Sequence, residues 1–169
     1  MQSGPGMGTS FYFTLPFEKY QETINTAEEN NIDSSDFLSL NINNPVHILL
    51  AEDNTVNAML ATKVLEKKGF IVKHVINGAL AVQALQQEHF DLILMDIQMP
   101  VMNGINASKA IRNLQTTEAE IPIIAMTAYS LYGEMENCYK AGMNCYVAKP
   151  FKAVDLYNAI MELIKKQPV

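Results

Sequence analysis

From Pro45 onward, apolar runs alternate with stretches of helical periodicity. The apolar runs are "VHILLAED", "FIVKHV", "FDLILMD", "IPIIAMTA" and "CYVAKP", and each is followed by a stretch such as "TVNAMLATKVLEKKG". Continuous apolar strands separated by helices are typical of parallel strands covered on both faces and joined by right-handed crossovers. The pattern therefore predicts an α/β fold, a doubly wound three-layer sandwich with five parallel strands and five helices.

Before Pro45 the pattern changes twice. Residues 18–44 are polar with little hydrophobic periodicity, which is typical of a linker. Within residues 1–17, the stretch "TSFYFTLPF" alternates aromatic or leucine side chains with Ser, Tyr and Thr, a pattern that predicts a strand with one apolar face. We therefore divide the chain into an N-terminal segment (1–17), a linker (18–44) and a domain (45–167).

Composition and charge narrow the function classes. The net charge of −6 and the pI near 5.0 leave no basic surface for phosphate backbones, so we expect no nucleic-acid partner. Cys138 and Cys145 form neither a CxxC nor a Cys/His pattern, which argues against a disulfide framework or a zinc site and favours the reducing cytoplasm. No apolar run approaches the roughly 20 residues that cross a bilayer. We expect no membrane contact by this chain, although the parent protein could be membrane-attached.

Carboxylates stand at the ends of two predicted strands. The first strand ends in Glu52-Asp53 and the third in Asp96. In the flavodoxin-like strand order 2-1-3-4-5 these strands are neighbours, and ligands bind beyond their carboxyl ends. Like charges this close recruit a cation, and oxygen ligands suit Mg²⁺, with Mn²⁺ as a possible substitute. His47 and His89 are predicted at the opposite end of the sheet.

A hydroxyl and an ammonium are also predicted at the carboxyl edge of the sheet, which forms the mouth of the site. The fourth strand ends in Thr127, and the fifth runs into Lys149. Together with the acids, these groups can hold a phosphoryl group, and Asp96 can be the nucleophile that forms an acyl phosphate. Helix capping is the structural alternative, for example by Asp53 before "NTVNAML". Capping does not explain a lysine, a threonine and three acids at the ends of four strands.

Four motifs, "ILLAEDN", "LILMDIQMPVMNG", "IPIIAMTA" and "YVAKPF", resemble the receiver domain of two-component response regulators across Pro45 to Gln167. The resemblance implies a phosphorylated aspartate, a Mg²⁺ site and a set of phosphoryl contacts. The phosphorylated residue would be Asp96. The Mg²⁺ ligands would be Glu52, Asp53, Asp96 and the backbone carbonyl of Gln98. The phosphoryl group would be contacted by Thr127, Lys149 and the backbone of Ala128.

The same resemblance implies a conformational switch. Tyr146 matches the aromatic residue that turns inward as Thr127 moves toward the phosphoryl group, and the readout would be the face of the fourth helix, fifth strand and fifth helix. The Lys149–Pro150 peptide bond is expected to be cis. Gln98 and Tyr129 occupy the variable positions that tune the phosphoryl lifetime.

The N-terminal "GPGMGTSFYFTLPF" resembles the end of a histidine-kinase ATP-binding domain, through the pattern Gly-x-Gly-Thr-x-Phe-x-Phe-x-Leu-Pro. The alternative is a cloning scar followed by a chance strand. The resemblance implies that the chain is the tail of a hybrid sensor kinase. Kinase activity is not expected of this chain, because most of the nucleotide fold, including its asparagine-bearing box, is missing.

A hybrid receiver would dock a helix that carries phosphohistidine, either from the kinase dimerisation domain or from a histidine phosphotransfer protein. In the first helix, Val56, Leu60 and Val64 recur every four residues and are predicted to face the sheet. The residues predicted to face the partner, in solvent beside the acidic mouth, are Ala58, Met59 and Thr62.

Three other functions share part of this sequence pattern. A flavodoxin-like nucleotide binder needs a phosphate loop rich in Gly, Ser and Thr, whereas this loop opens with Glu52-Asp53. A phosphatase of the haloacid-dehalogenase type needs Asp-x-Asp-x-Thr, and "DIQMP" lacks the second acid. A stand-alone or binding-only receiver that regulates a partner by contact stays open, although the intact acid, threonine and lysine set argues against it.

Overall fold

The computed structural model describes residues 2–4, 8–10, 45–128 and 132–165. The chain divides into two units, Met1–Phe37 and Leu38–Val169. In the first unit, β1 (Gln2–Gly4) pairs antiparallel with β2 (Gly8–Ser10), so that "TSFYFTLPF" begins within a strand. The sequence pattern did not predict β1. Residues 11–17, the linker 18–44, Tyr129 and Gln167 lie outside the described residues.

In the second unit, the described residues form five strands and five helices in alternation, with a short 3-10 turn at Thr117–Glu120. The strands are β3 (His47–Ala51), β4 (Ile71–Val75), β5 (Leu92–Asp96), β6 (Ile123–Thr127) and β7 (Cys145–Ala148). The helices are α1 (Thr55–Glu66), α2 (Gly78–Leu85), α3 (Gly104–Arg112), α4 (Tyr132–Lys140) and α5 (Ala153–Ile164). All neighbouring strands of this sheet are parallel, in the order β4-β3-β5-β6-β7. The predicted order 2-1-3-4-5 is confirmed.

Helices cover both faces of the sheet. On one face, buried side chains of α2, α3 and α4 share a core with alternate residues of β3, β5 and β6, such as Leu49 and Ile93. On the other face, α5 is tied to α1 by the Tyr157 hydroxyl, which donates to the Val64 carbonyl at 2.5 Å. The predicted three-layer sandwich is confirmed, and it leaves the carboxyl ends of the strands open between the two helical layers.

Asparagines begin the three helices that follow β3, β4 and β5. The side chains of Asn54, Asn77 and Asn103 accept backbone N–H groups of the first turns of α1, α2 and α3. Such caps satisfy donors that have no partner within the helix. Asn54 caps α1, so the structural alternative in which Asp53 caps this helix is wrong.

The predicted orientation of α1 is also wrong. Val56 and Leu60 were predicted to face the sheet, but their side chains are 72% and 53% exposed. The buried residues of this helix are Ala58, Ala61 and Leu65. The face that packs on the sheet thus combines two alanines with one leucine, rather than the larger apolar residues that recur every four positions. Ala58, which was predicted to face the partner, is buried, whereas Met59 is 58% exposed and Thr62 and Val64 are half-buried.

Within the described ranges, none of the helices has both the length and the apolar character that crossing a membrane requires.

Candidate functional site

Three carboxylates meet at the carboxyl ends of β3 and β5, which are hydrogen-bonded neighbours in the sheet. Glu52, Asp53 and Asp96 each offer an oxygen, and these oxygens all lie within 4.8 Å of one another. Glu52 and Asp96 are buried, whereas Asp53 is exposed. The sequence predicted this meeting from strand order alone, and the structure places the three acids together.

Lys149 enters the same cluster from the loop after β7. Its Nζ lies 2.5 Å from Glu52 Oε2 and 2.7 Å from Asp96 Oδ2. Its backbone N–H donates to the Thr127 carbonyl at 2.6 Å, which joins the ends of β6 and β7. The Lys149–Pro150 peptide bond is cis. One ammonium is thus shared between two buried carboxylates.

Burial raises the pKa of Asp96 above its ordinary value, although the hydrogen bond and charge of Lys149 lower it. The charge of Glu52 raises this pKa further, and the Gln98 N–H, which donates to Asp96 Oδ1 at 3.1 Å, lowers it. The cluster contains three carboxylates and one lysine, so its negative charge can exceed what the lysine balances, which favours a bound cation.

Glu52 is held in place by the start of α1. Its Oε1 accepts the Asn54 N–H at 3.3 Å and the Asn57 side-chain amide at 3.1 Å, while Oε2 is left to Lys149. The backbone carbonyl of Glu52 lies 2.7 Å from His74 Nε2 of β4. These hydrogen bonds fix both the side chain and the backbone of this acid.

Sequence reasoning missed His74 and Asn57. The available signal for His74 was its place one residue before the end of β4, next to β3 in the sheet. His47 and His89 lie where they were predicted, at the opposite end, where both contact Asp91.

The remaining predicted residues stand at the same edge. Thr127 is the last residue of β6 and is buried, and its Cα is paired with that of Ala148 on β7. Tyr146 is exposed on β7, and Ala128 and Gln98 are exposed in loops after β6 and β5. Thr127, Ala128 and Gln98 thus lie at the carboxyl edge of the sheet, whereas Tyr146 lies two residues before the end of β7, where it is paired with Ala125 of β6.

The loop after β5 turns back tightly onto the strand it leaves. The Gly104 N–H donates to the Ile97 carbonyl at 3.0 Å. A Cβ at Gly104 would lie 2.1 Å from the Asp96 carbonyl oxygen, so only glycine allows α3 to begin here. Asn103-Gly104 therefore sets the distance between the acidic cluster and α3.

Comparison with known proteins agrees with this geometry. The family model described as the response regulator receiver domain matches residues 48–161. The chain belongs to this receiver family. The receiver is 46% identical over 123 residues to hybrid signal transduction histidine kinase M of Dictyostelium discoideum, an alignment that covers 70% of this chain and 5% of that protein. It is 33% identical over 159 residues to hybrid kinase K of the same organism, which covers 90% of this chain and 13% of that protein.

A solved structure resembles this receiver closely. It is the receiver domain of a sensor histidine kinase from Pseudomonas aeruginosa PAO1, with a magnesium ion coordinated in its active site cleft. The two share 40% identity and a TM-score of 0.68, over 73% of this chain and 100% of that chain. The receiver described here offers the oxygen-only donor set that Mg²⁺ prefers, in the cluster formed by Glu52, Asp53 and Asp96.

Proposed function

We propose that this receiver accepts a phosphoryl group from phosphohistidine onto Asp96 and then relays it or converts it into a change of conformation. The observation that carries the proposal is the lysine shared by Glu52 and Asp96 at the mouth of the sheet. An ammonium beside the nucleophile can assist the reaction, because it stabilises the negative charge that accumulates on the oxygens of the transferring phosphoryl group.

The transfer exchanges one bond to phosphorus for another. An oxygen of the Asp96 carboxylate forms the new O–P bond as the N–P bond of phosphohistidine breaks, and the imidazole leaves with the electron pair and takes up a proton. The Lys149 ammonium, which pairs with the Asp96 carboxylate before the transfer, would pair with the phosphoryl oxygens after it. Glu52, Asp53, Asp96 and the Gln98 carbonyl would hold Mg²⁺, which supplies positive charge to the phosphoryl oxygens when bound.

The switch is proposed for the edge formed by β6 and β7. The Thr127 hydroxyl and the Ala128 N–H would bind the new phosphoryl group, which adds charge and strong acceptors at one point. Tyr146, exposed in this structure, would turn inward as Thr127 moves. The changed surface would be that of α4, β7 and α5.

The exposed face of α1 is the proposed contact with the phosphodonor. Val56, Met59 and Leu60 occur at i, i+3 and i+4 and are all exposed, so they form one apolar stripe beside the acidic cluster. This stripe shares Met59 with the surface predicted from the sequence, and the half-buried Thr62 lies next to it on the same helix. The donor would be the dimerisation domain of a histidine kinase or a histidine phosphotransfer protein.

We also propose that the chain is part of a hybrid histidine kinase, in which 1–17 is the end of the ATP-binding domain, 18–44 is a linker and 45–167 is the receiver. The alignment with hybrid kinase K supports this, because it covers 90% of the chain and so extends beyond the residues matched by the receiver family.

The test is intact mass and peptide mapping after incubation with acetyl phosphate and Mg²⁺. A phosphoryl adduct on Asp96 is expected, and it should be absent from Asp96→Asn and from a sample with a chelator. If a phosphorylated histidine phosphotransfer protein also fails to modify the wild-type chain, the protein is a binding-only receiver and the proposal is wrong.

A further inference from the structure

A valine in the loop after β5 has an unfavourable backbone conformation. The Pro100 carbonyl accepts the Met102 N–H at 2.7 Å, which closes a three-residue γ-turn around Val101. The φ angle of Val101 is 66°, and Val101 is the one non-glycine with a positive φ among the described residues. A γ-turn with a positive central φ is rare and strained. A β-branched residue in this region is a clear outlier.

The neighbours of Val101 hold the turn in place. The Met102 carbonyl accepts the Gly78 N–H of α2 at 3.0 Å, and a Cβ at Gly78 would lie 2.7 Å from that carbonyl oxygen. The Val101 side chain itself is 88% exposed, so its burial contributes almost nothing to folding. Glycine or asparagine would adopt the same φ at lower cost. Stability therefore does not explain a valine here, and strain of this kind is commonly found where function requires it.

The position of Val101 suggests that function. It lies in the loop that connects Asp96 to α3 on one face of the sheet, whereas Val56 lies at the start of α1 on the other face. Ile76, also exposed, follows the end of β4. The connections that follow β4, β3 and β5 thus each carry an exposed aliphatic side chain at the carboxyl edge of the sheet: Ile76 in a loop, Val56 in the first turn of α1, and Val101 in a loop.

The surroundings of these side chains are poor in charge. The sequence has no Asp, Glu, Lys or Arg from Ile97 to Ser108, and none from Asn54 to Thr62. The negative charge lies between these flanks, at the three acids, of which Glu52 and Asp96 are buried and Asp53 is exposed. A partner that contacts both flanks must therefore present an apolar, charge-poor surface. The surface of this partner must also be convex, because its reacting group has to reach the buried Asp96. The face of a helix has this shape.

We propose that Val101 is an apolar anchor for the phosphodonor, which contacts it with the helix face around its phosphohistidine. This inference rests on the proposed function and extends the donor surface across the mouth, from α1 to the loop after β5. Val101 acts in donor recognition and does not take part in the chemistry at Asp96.

The experiment compares two phosphodonors. Phosphorylation of the chain is measured with acetyl phosphate, and with a histidine phosphotransfer protein that has been charged on its histidine by phosphoramidate. The variants are Val101→Asn and Val101→Gly, which tolerate the positive φ but remove the apolar group, and Val101→Leu, which keeps it. The matched control is Ile71→Asn, because Ile71 is an exposed aliphatic residue at the opposite end of β4.

Val101→Asn and Val101→Gly should lower kcat/KM for the protein donor by roughly tenfold, the loss typical of a truncated anchor residue, mainly through KM. Their rates with acetyl phosphate should match the wild type, and Val101→Leu should retain transfer from the protein. In urea, both should unfold at a higher midpoint than the wild type, because the strain is relieved. Unchanged transfer from the protein donor, or an equal loss with both donors, would overturn the inference. A wild-type chain that accepts from neither donor would instead refute the proposed function.

Discussion

At the scale of single residues, the site is defined by an imbalance of charge. Lys149 contacts two buried carboxylates at once, and Asp53 adds a third beside them. A buried carboxylate without a cation is costly, so Lys149 has a structural role in the metal-free protein as well as a proposed catalytic one.

Replacing this lysine should therefore affect both stability and phosphorylation. We expect Lys149→Met to lower the free energy of unfolding by about 3 kcal/mol without metal, because it leaves two buried carboxylates without their ammonium. The control is Lys140→Met, since Lys140 pairs with Glu136 on the surface of α4, where both side chains are exposed. That substitution should cost no more than about 0.5 kcal/mol. Urea denaturation of both variants measures the difference, and equal losses would contradict the role given to Lys149.

Binding of Mg²⁺ should increase the free energy of unfolding. Mg²⁺ at 100 times its dissociation constant is expected to raise the free energy of unfolding of the wild type by about 2.7 kcal/mol, because it binds the folded state. Asp53→Asn should remove most of this gain while changing metal-free stability little, since Asp53 is exposed. Thermal unfolding with and without Mg²⁺ tests this, and the same gain in both proteins would place the metal elsewhere.

At the scale of elements, the prediction from sequence succeeded for the strands and partly failed for the helices. Strand order and the residues at strand ends follow from continuous apolar runs and the rule for parallel sheets, and these brought Glu52, Asp96 and Lys149 together. The face of α1 did not follow, because alanine gives a weak apolar signal in a sequence pattern, and the buried face consists of Ala58, Ala61 and Leu65. The strained φ of Val101 depends on tertiary hydrogen bonds and leaves no local pattern.

The start of α3 provides a second test at this scale. Gly104→Ala should lower the free energy of unfolding by more than about 3 kcal/mol, because its Cβ would overlap the backbone oxygen of Asp96. Gly69→Ala is the matched control: it has a φ of 84° with nothing within 4 Å of a Cβ, so only the backbone penalty of about 1–2 kcal/mol applies. If the two variants unfold at the same urea concentration, the close approach of α3 to β5 is not as described.

The contact between α1 and α5 should depend on pH. Burial raises the pKa of Tyr157 above its ordinary value, and its hydroxyl donates to Val64. The contribution is therefore complete below the unfolded pKa near 10 and is lost as the pH rises through the higher folded pKa. Tyr157→Phe should cost about 1 kcal/mol at pH 7 and show a shallower loss of stability above pH ~10. Parallel curves for the two proteins across this alkaline range would refute the assignment.

At the scale of the whole molecule, the chain is a small part of its relatives, since it spans 5% and 13% of the two hybrid kinases compared. The receiver sheet, the cluster and the docking residues all lie in the second unit. A chain that begins at Asn44 should therefore keep the same Mg²⁺-dependent phosphorylation of Asp96 and the same free energy of unfolding, to within about 0.5 kcal/mol.

The N-terminal segment should instead affect association. Its predicted strand has one apolar face, and under the proposed origin in an ATP-binding domain it has been separated from its parent sheet, which leaves an edge open to pairing. We expect the full chain to elute earlier from a sizing column than the shortened one by more than its extra mass explains. Equal apparent masses per residue would show that the segment does not mediate self-association.

The pairing of Lys149 with Glu52 joins residues that are 97 positions apart. Since β7 is the last strand and β3 the first of this sheet, the reactive centre exists only after the final strand has docked. The proposed acyl phosphate formation can therefore be used to follow folding. Short pulses of acetyl phosphate during refolding would label only molecules that have completed the sheet. A nascent chain whose synthesis has stopped after β6 lacks Lys149 and is expected not to react, so the proposed phosphorylation would be confined to molecules that have completed the sheet.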